Sequence, residues 1–317
     1  MKYSRQIVFE KIGKEGQEKI SKAKITIIGL GATGSNSAEL LTRAGIGSLT
    51  LIDRDVIEES NLQRQTLYNE EDIGKPKSLV AKEKLEKINS TTKIKVFFKD
   101  LTHKNIKELT KNTHLILDCT DNMYTRFLID EFCMKNNLPW IYTGIIESTG
   151  MIFKIMPRKT PSFKDIFKEL NQPLDSCDVS GVLNTTASFA SSLQVTEALK
   201  HITSQNISKE LIFFDVWKNK ISKIKVNKIS NYNSFPYLDG EKSSDNIKLC
   251  GTNAYQLKSP ELNLKTVAKK LEKVDEVKVN EFCLFFKELT IFPDGRILIK
   301  ADSPEKAKSL YTRYIGY

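Results

Sequence analysis

Gly29, Gly31 and Gly34 form a G-x-G-x-x-G series between the β-branched run Lys24 to Ile28 and a helical pattern that continues to Arg43. Glycines so placed let backbone N–H groups and the positive end of a helix approach a phosphate. Asp53 lies 19 residues beyond the last of them, at the end of the next strand. There a carboxylate can accept hydrogen bonds from ribose hydroxyls. The pair predicts an adenine nucleotide and leaves NAD, FAD and ATP open. Arg64, in Ser60-Asn-Leu-Gln-Arg-Gln65, and Lys77, in Gly74-Lys-Pro-Lys77, come after the same strand. They supply more positive charge than hydride transfer requires and suit a triphosphate. Asp118 and Asp121, in Asp118-Cys-Thr-Asp-Asn122, end a further strand and can hold a magnesium ion against those phosphates.

The elements that must position these groups follow from the pattern around them. Strands are predicted at 24–28, 48–52, 93–98 and 115–117, with helices between them, notably 76–88 and 103–110. This alternation predicts an α/β, Rossmann-like, doubly wound and mainly parallel sheet. Residues 139–142 and 150–155 add strands, 157–180 lose periodicity and read as a long loop, and a helix spans 186–201. A hairpin follows at 211–216 and 221–226. Residues 230–253, rich in Ser, Asn and Lys, read as a linker. Beyond them a helix at 264–271, strands at 282–286, 289–292 and 297–299, and a helix at 303–314 capped by Ser303 predict a small α+β appendage.

Composition bounds the class. The chain has 317 residues, 40% of them hydrophobic and 28% charged, which is ordinary for a globular protein. No apolar run approaches a membrane span, and no basic start followed by an apolar segment marks a secretory signal, so a cytoplasmic location is expected. Five cysteines without paired spacing argue against a disulfide framework. The net charge of +10 is spread along the chain with no basic block interleaved with aromatics. An acidic protein partner therefore fits better than direct nucleic-acid binding.

Taken together these residues resemble the ThiF/MoeB adenylyltransferases, relatives of the activating enzymes for ubiquitin-like modifiers. The matching series is Tyr3-Ser-Arg-Gln6, Gly16-Gln17, Gly29 to Gly34, Ala44-Gly-Ile-Gly47, Asp53 to Asp55, Asn61 to Gln65, Gly74 to Lys77, Asp118 to Asn122 and Arg126, in family order over residues 1 to about 226. The resemblance implies an adenylation domain over 1–229, with a crossover loop at about 157–180, the linker at 230–253 and the appendage at 254–317. It implies that Gly29, Gly31, Ala32 and Gly34 shape a nucleotide loop, that Asp53 holds the ribose with Asp55 also among the cofactor-binding residues, and that Asn61, Arg64 and Lys77 contact phosphates. Asp121, with Asn122 beside it, matches the acidic position associated with magnesium and the reacting phosphate. Arg5 matches an arginine that reaches into a neighbouring subunit's ATP site, which implies a homodimer. Cys177 matches a cysteine that can form an acyl intermediate or take part in sulfur transfer. The implied activity is adenylation, with ATP and Mg2+, of the C-terminal glycine of a ubiquitin-like sulfur carrier ending in Gly-Gly, serving thiamin, molybdopterin or tRNA thiolation.

The chain departs from that family in one respect. Most members bind a structural zinc with two CxxC pairs, but residues 157–167 contain no cysteine and only Cys250 remains of the second pair. One thiolate cannot build a tetrahedral site, so no zinc is expected and the 157–180 segment must be held by packing or left mobile. Ala32-Thr33 also replaces the family's usual glycine and aliphatic residue. Three alternatives compete: an activating enzyme for protein conjugation, an NAD-binding oxidoreductase, and a carrier-binding module without turnover. The oxidoreductase needs a poised acid or base, and His103, His114 and His201 offer no such arrangement. A module without turnover would be expected to have lost its phosphate-binding residues.

Overall fold

Five strands, β1 (Lys24–Ile28), β2 (Ser48–Asp53), β3 (Lys93–Phe98), β4 (Leu115–Asp118) and β5 (Trp140–Ile146), run parallel because a helix or helical loop returns the chain between each and the next. Three antiparallel strands, β6 (Thr149–Ile155), β7 (Glu210–Asp215) and β8 (Lys220–Lys225), complete one sheet of order β3-β2-β1-β4-β5-β6-β7-β8. The computed structural model describes residues 2–167, 181–204, 209–226, 232–242, 247–249 and 254–316. They fall into two compact units, the described residues up to 241 and those from 242 onward. The first is the doubly wound α/β unit that the alternation predicts.

Helices cover both faces of the sheet. On one face α2 (Gly13–Lys22), α3 (Ala32–Ala44), α4 (Lys77–Ile88) and α8 (Asn184–Ile202) bury Ile20, Leu41, Leu85 and Ala198 against Ile27, Leu51 and Leu117. On the other, α5 (Ile106–Leu109), α6 (Met123–Asn136) and α7 (Phe163–Phe167) bury Ile106, Leu128 and Phe163 against Ile28, Ile116 and Trp140. A short α1 (Ser4–Val8) is tied on by Gln6, whose amide donates to Gln17 and to the Ala44 carbonyl, and by Tyr3, whose ring fills the space beside Gly45.

Because the order runs 3-2-1-4, the chain leaves β1 and β4 toward opposite faces. Their C-terminal ends form the switch point where open α/β sheets bind ligands. The glycine series follows β1 and the Asp118–Asn122 turn follows β4, so the topology brings both to this crevice.

The described part of the 157–180 segment is held by packing. Phe163 is fully buried in an aromatic cluster with Trp140, Tyr142, Phe127 and Phe167. Asp130 of α6 accepts the backbone N–H groups of Phe163 and Lys164 and the hydroxyl of Tyr232, satisfying the first turn of α7. Residues 232–239, which composition reads as linker, are tied to the same helix. Glu131 accepts the N–H groups of Tyr237 and Leu238, and the Tyr237 ring stacks on Phe127 at 4.9 Å. The first of the segments that would carry zinc ligands is thus fastened to α6, as are residues 232–239. Phe163→Ala should lower stability by about 3–5 kcal/mol, seen as a fall of roughly 10 °C in the melting temperature. An unchanged melting temperature would show that the cluster does not hold α7.

The second unit is antiparallel. Its strands β9 (Ile247–Leu249), β10 (Ala254–Lys258), β11 (Lys278–Val279), β12 (Leu284–Phe286), β13 (Leu289–Ile291) and β14 (Arg296–Lys300) lie in the order β11-β12-β13-β14-β10-β9. Helices α9 (Leu264–Leu271) and α10 (Pro304–Tyr314) pack on a core that includes Tyr255, Leu257, Phe286, Ile291, Ile297 and Ile299. The Ser303 hydroxyl accepts the Lys306 N–H, the cap that the sequence predicts. Strand β9 falls within the residues read as linker. No helix among the described residues is long and apolar enough to cross a membrane.

Candidate active site

The loop after β1 closes so tightly that two of its glycines are obligatory. Gly29 has φ of +86°, and a Cβ there would meet the Cys119 carbonyl oxygen at 2.6 Å. A Cβ on Gly34 would lie 1.9 Å from the Gly29 carbonyl oxygen. Gly31 is different, with only ordinary contact to the Gln65 amide at 3.8 Å, so its missing side chain serves access to the loop backbone. It is the N-cap of α3, and Ala32 is the first residue of that helix. The orphan N–H groups of the helix start therefore sit over the switch point. Thr33 is buried, and its carbonyl accepts the Ser191 hydroxyl of α8 at 2.9 Å, which anchors the departure from the family's usual loop.

Asp53 is buried and braces this loop. Its Oδ2 accepts the Leu30 N–H at 2.6 Å and its Oδ1 the Asp55 N–H at 2.7 Å. Each oxygen keeps a further lone pair for a ligand hydroxyl. Burial raises its carboxyl to about 6 against the opposing pull of the Lys77 ammonium.

Lys77, at the start of α4, is itself buried, 3.6 Å from Asp55 Oδ2. Burial pushes its ammonium down, but the carboxylates of Asp55, Asp53, Asp121 and Glu58 outweigh this and raise it, so it is a fixed positive charge. Asn61 and Arg64 belong to the turn that follows β2. Asn61 is buried in a reciprocal cap with Glu58, and Arg64 donates to the Ser60 carbonyl at 2.9 Å. Between them and the glycine loop stands Gln65, buried, its Oε1 accepting no hydrogen bond among the described residues.

Beyond β4 the two acidic residues have separate roles. Asp118 is fully buried. Its Oδ1 accepts the N–H and hydroxyl of Thr120 at 3.0 and 2.7 Å, and Arg126 Nε stands 3.4 Å from Oδ2. It shapes the turn and does not share an open cation site, which corrects the paired reading of Asp118 and Asp121. Asp121 is exposed, and its charge acts on both Lys77 and Arg54. Asn122 caps α6, its Oδ1 accepting the Thr125 N–H at 2.8 Å. Asp121 and the partly exposed Asp55 are oxygen donors of the kind magnesium uses, one or two carboxylates with phosphates and water completing the shell. No group of three or more His, Cys, Asp or Glu among the described residues is arranged around a metal position.

Two contributors were not singled out from sequence. Arg54, between Asp53 and Asp55, bonds Asp100 at 2.9 Å and is raised further by Asp55 and Asp121 although burial opposes this, so it neutralises the acidic rim. A charged residue between two strand-end aspartates was the available signal. Gln194 of α8 joins the Asp118 carbonyl, the Ser37 hydroxyl and the Cys119 thiol beneath the loop. Burial pushes Cys119 up to about 12, so it is a packing thiol. Arg5 is exposed on α1, away from any ion pair among the described residues, and Val8 and Phe9 beside it are exposed too. Cys177 and Cys250 lie outside the described residues.

The solved structures most like this one include Escherichia coli MccB. That likeness has a TM-score of 0.65 at 21% identity, over 74% of each chain, and it supports the fold. A Bacillus subtilis protein named sulfur carrier protein ThiS adenylyltransferase is 35% identical over 99% of this chain and 99% of its own length. Its Escherichia coli namesake is 34% identical over 68% of this chain and 86% of its own. The molybdopterin-synthase adenylyltransferase of Haemophilus influenzae is 33% identical over 71% and 94%. The family model described as ThiF matches residues 3–234. With that match across the whole α/β unit and relatives of this identity, the chain belongs to the ThiF family.

Proposed function

We infer that this protein uses ATP to adenylate the C-terminal glycine of a ubiquitin-like sulfur carrier. The observation that carries this reading is the buried Lys77 held among Asp53, Asp55, Asp121 and Glu58 at the switch point, a fixed cation beside an open carboxylate. The relatives named as ThiS and molybdopterin-synthase adenylyltransferases support the class of substrate.

In the reaction the carrier's terminal carboxylate attacks the α-phosphorus, the bond from that phosphorus to the bridging oxygen breaks, and pyrophosphate leaves. The nucleophile is already ionised, so no side chain has to remove a proton. The residues act by position and charge. The loop N–H groups at Gly31 and Ala32 receive phosphate oxygens, Asp53 receives the ribose, and Asn61, Arg64 and Lys77 hold the polyphosphate. Asp121, with Asn122 next to it in the chain and Asp55 acting on the same Lys77, would hold a magnesium ion whose contribution is to neutralise phosphate charge. Arg5, carried on the exposed face of α1 with Val8 and Phe9, completes a partner subunit's site in a homodimer. Residues 1–229 form the adenylation domain, 230–253 join it to the appendage at 254–317, and no structural zinc is required. Cys177 acts after adenylation, in acyl or sulfur transfer. The reaction takes place in the cytoplasm.

Binding to the ribose requires an ionised Asp53. Its carboxyl lies near 6 in the folded protein, above the ordinary value of about 3.9. The sign follows directly: ATP affinity should be constant above pH 7 and fall by up to tenfold per unit below about 6, while the Asp53 contribution to unligated stability runs the opposite way and is lost as pH rises through 6. Half-saturation for ATP measured from pH 5 to 8 tests this, and a flat profile would remove Asp53 from the ribose site. The activity itself is tested with ATP labelled at the α-phosphate. Label should appear on a Gly-Gly carrier and not on one lacking its last glycine; equal labelling of both would overturn the reading.

A further inference from the structure

Beneath the candidate site a buried tyrosine, Tyr68, joins stretches that are far apart in the chain. Its ring belongs to the core that also holds Leu30, Leu67 and Val80. A phenylalanine would fill that space with no hydroxyl to satisfy. The Tyr68 hydroxyl donates to the Leu30 carbonyl at 3.0 Å, with the Lys77 carbonyl as a second acceptor at 3.4 Å. These acceptors lie 38 and 9 residues away in sequence, one in the glycine loop and one in the first turn of α4. The two contacts close a ring. The Leu30 N–H donates to Asp53 Oδ2 at 2.6 Å, the Asp55 N–H to Asp53 Oδ1 at 2.7 Å, and the Lys77 N–H to the Asp55 carbonyl at 3.0 Å. The turn that carries Asn61 and Arg64 is tied to the same residue, because the Tyr68 N–H donates to the Gln65 carbonyl at 3.1 Å and the Gln65 N–H to the Asn61 carbonyl at 3.0 Å.

We propose that Tyr68 is a positioning residue for nucleotide binding, whose hydroxyl fixes the spacing between the part of the site that takes the ribose and the part that takes the polyphosphate. It touches no reactant. The proposal rests on the adenylation reading of this site and adds what holds its parts in register. Asp53 and the glycine loop stand on one side of the Tyr68 hydroxyl, and Lys77 stands on the other. Removing that oxygen takes a partner from the buried Leu30 carbonyl and opens the ring there, while its other bonds remain. A ligand that spans two subsites gains when they are already held at the right separation, since it does not have to order them on binding. A fragment that fills only one subsite gains nothing from the link. The signature of positioning is therefore a loss of affinity for ATP without a loss for its pieces, which a general packing defect would not produce.

The test compares the full-length protein with Tyr68→Phe, using ATP, adenosine and tripolyphosphate as probes, measured calorimetrically with magnesium and without carrier. Tyr68→Phe should melt within about 4 °C of the parent, since the ring is kept and one neutral hydrogen bond is lost. Its affinity for ATP should fall about five- to tenfold. Adenosine and tripolyphosphate should each bind as they do to the parent. In exchange assays with Bacillus subtilis ThiS, half-saturating ATP should rise by the same factor while the rate at saturating ATP is kept. Tyr68→Leu, which also empties ring volume from the core, should lower the melting temperature further and so separates packing from the hydroxyl. The proposal is overturned if Tyr68→Phe binds ATP like the parent, if all three probes weaken alike, or if the variant does not fold. ATP binding that depends on the Tyr68 hydroxyl, in a protein that transfers AMP to no carrier, would keep this role and discard the adenylation reading. A parent protein that does not bind ATP would discard both.

Discussion

Asp121→Ala should reduce carrier-dependent ATP–pyrophosphate exchange by about a thousandfold or more, whereas Cys177→Ala should leave exchange intact and slow only the later transfer. The difference follows from where each acts. Asp121 is the exposed carboxylate of the switch point, and its charge reaches both Lys77 and Arg54. Removing it leaves only Asp55, already drawn to Lys77, to hold magnesium beside the reacting phosphate, and stabilisation of that charge is most of what such a site does. Its exposure means that the fold should be little affected, so the melting temperature should move by less than about 2 °C. Exchange surviving in Asp121→Ala would remove this residue from the reaction. Loss of exchange in Cys177→Ala would mean that its role had been misassigned.

Lys77→Ala should have an effect of similar size for a different reason. The ammonium is buried, and the attraction of Asp55, Asp53, Asp121 and Glu58 exceeds the burial penalty that would otherwise strip its proton. Without it these carboxylates face each other and the incoming triphosphate with Arg54 as the main remaining counter-charge nearby. The Asp53 carboxyl, now held near 6 partly by Lys77, should rise further. Exchange should fall at least about a thousandfold, and stability at pH 8 should drop by about 2–4 kcal/mol as the buried charges lose their partner. Lys77→Arg should recover stability better than activity, because a planar guanidinium cannot take the place of a compact ammonium. Full activity in Lys77→Ala would separate this cation from the phosphates.

What is legible in the sequence is what has a local determinant. The run Lys24–Ile28, the glycines and the helix after them are read from neighbours in sequence, and so is Asp53 at the end of β2. Helix α6 was not, because Leu128 through Met134 are all buried and leave no one-sided apolar stripe to count. Helix α7 lies where the sequence predicts a loop, because its first turn is satisfied by Asp130, 33 residues away in sequence from Phe163. The strand β9 hid in a polar stretch. At the site, residue types predicted which groups gather but not their burial. Asp118 and Asp121 look equivalent in sequence, yet one is sealed against Thr120 and Arg126 and the other is open.

On this reading a carboxylate at the end of a carrier protein is activated at the β1–β4 crevice. Its most direct test is ATP–pyrophosphate exchange with purified protein and candidate carriers ending in Gly-Gly. Exchange should appear with at least one such carrier, vanish when its last glycine is removed, and require Asp121. No exchange with any carrier, together with tight binding of NAD, would contradict the account.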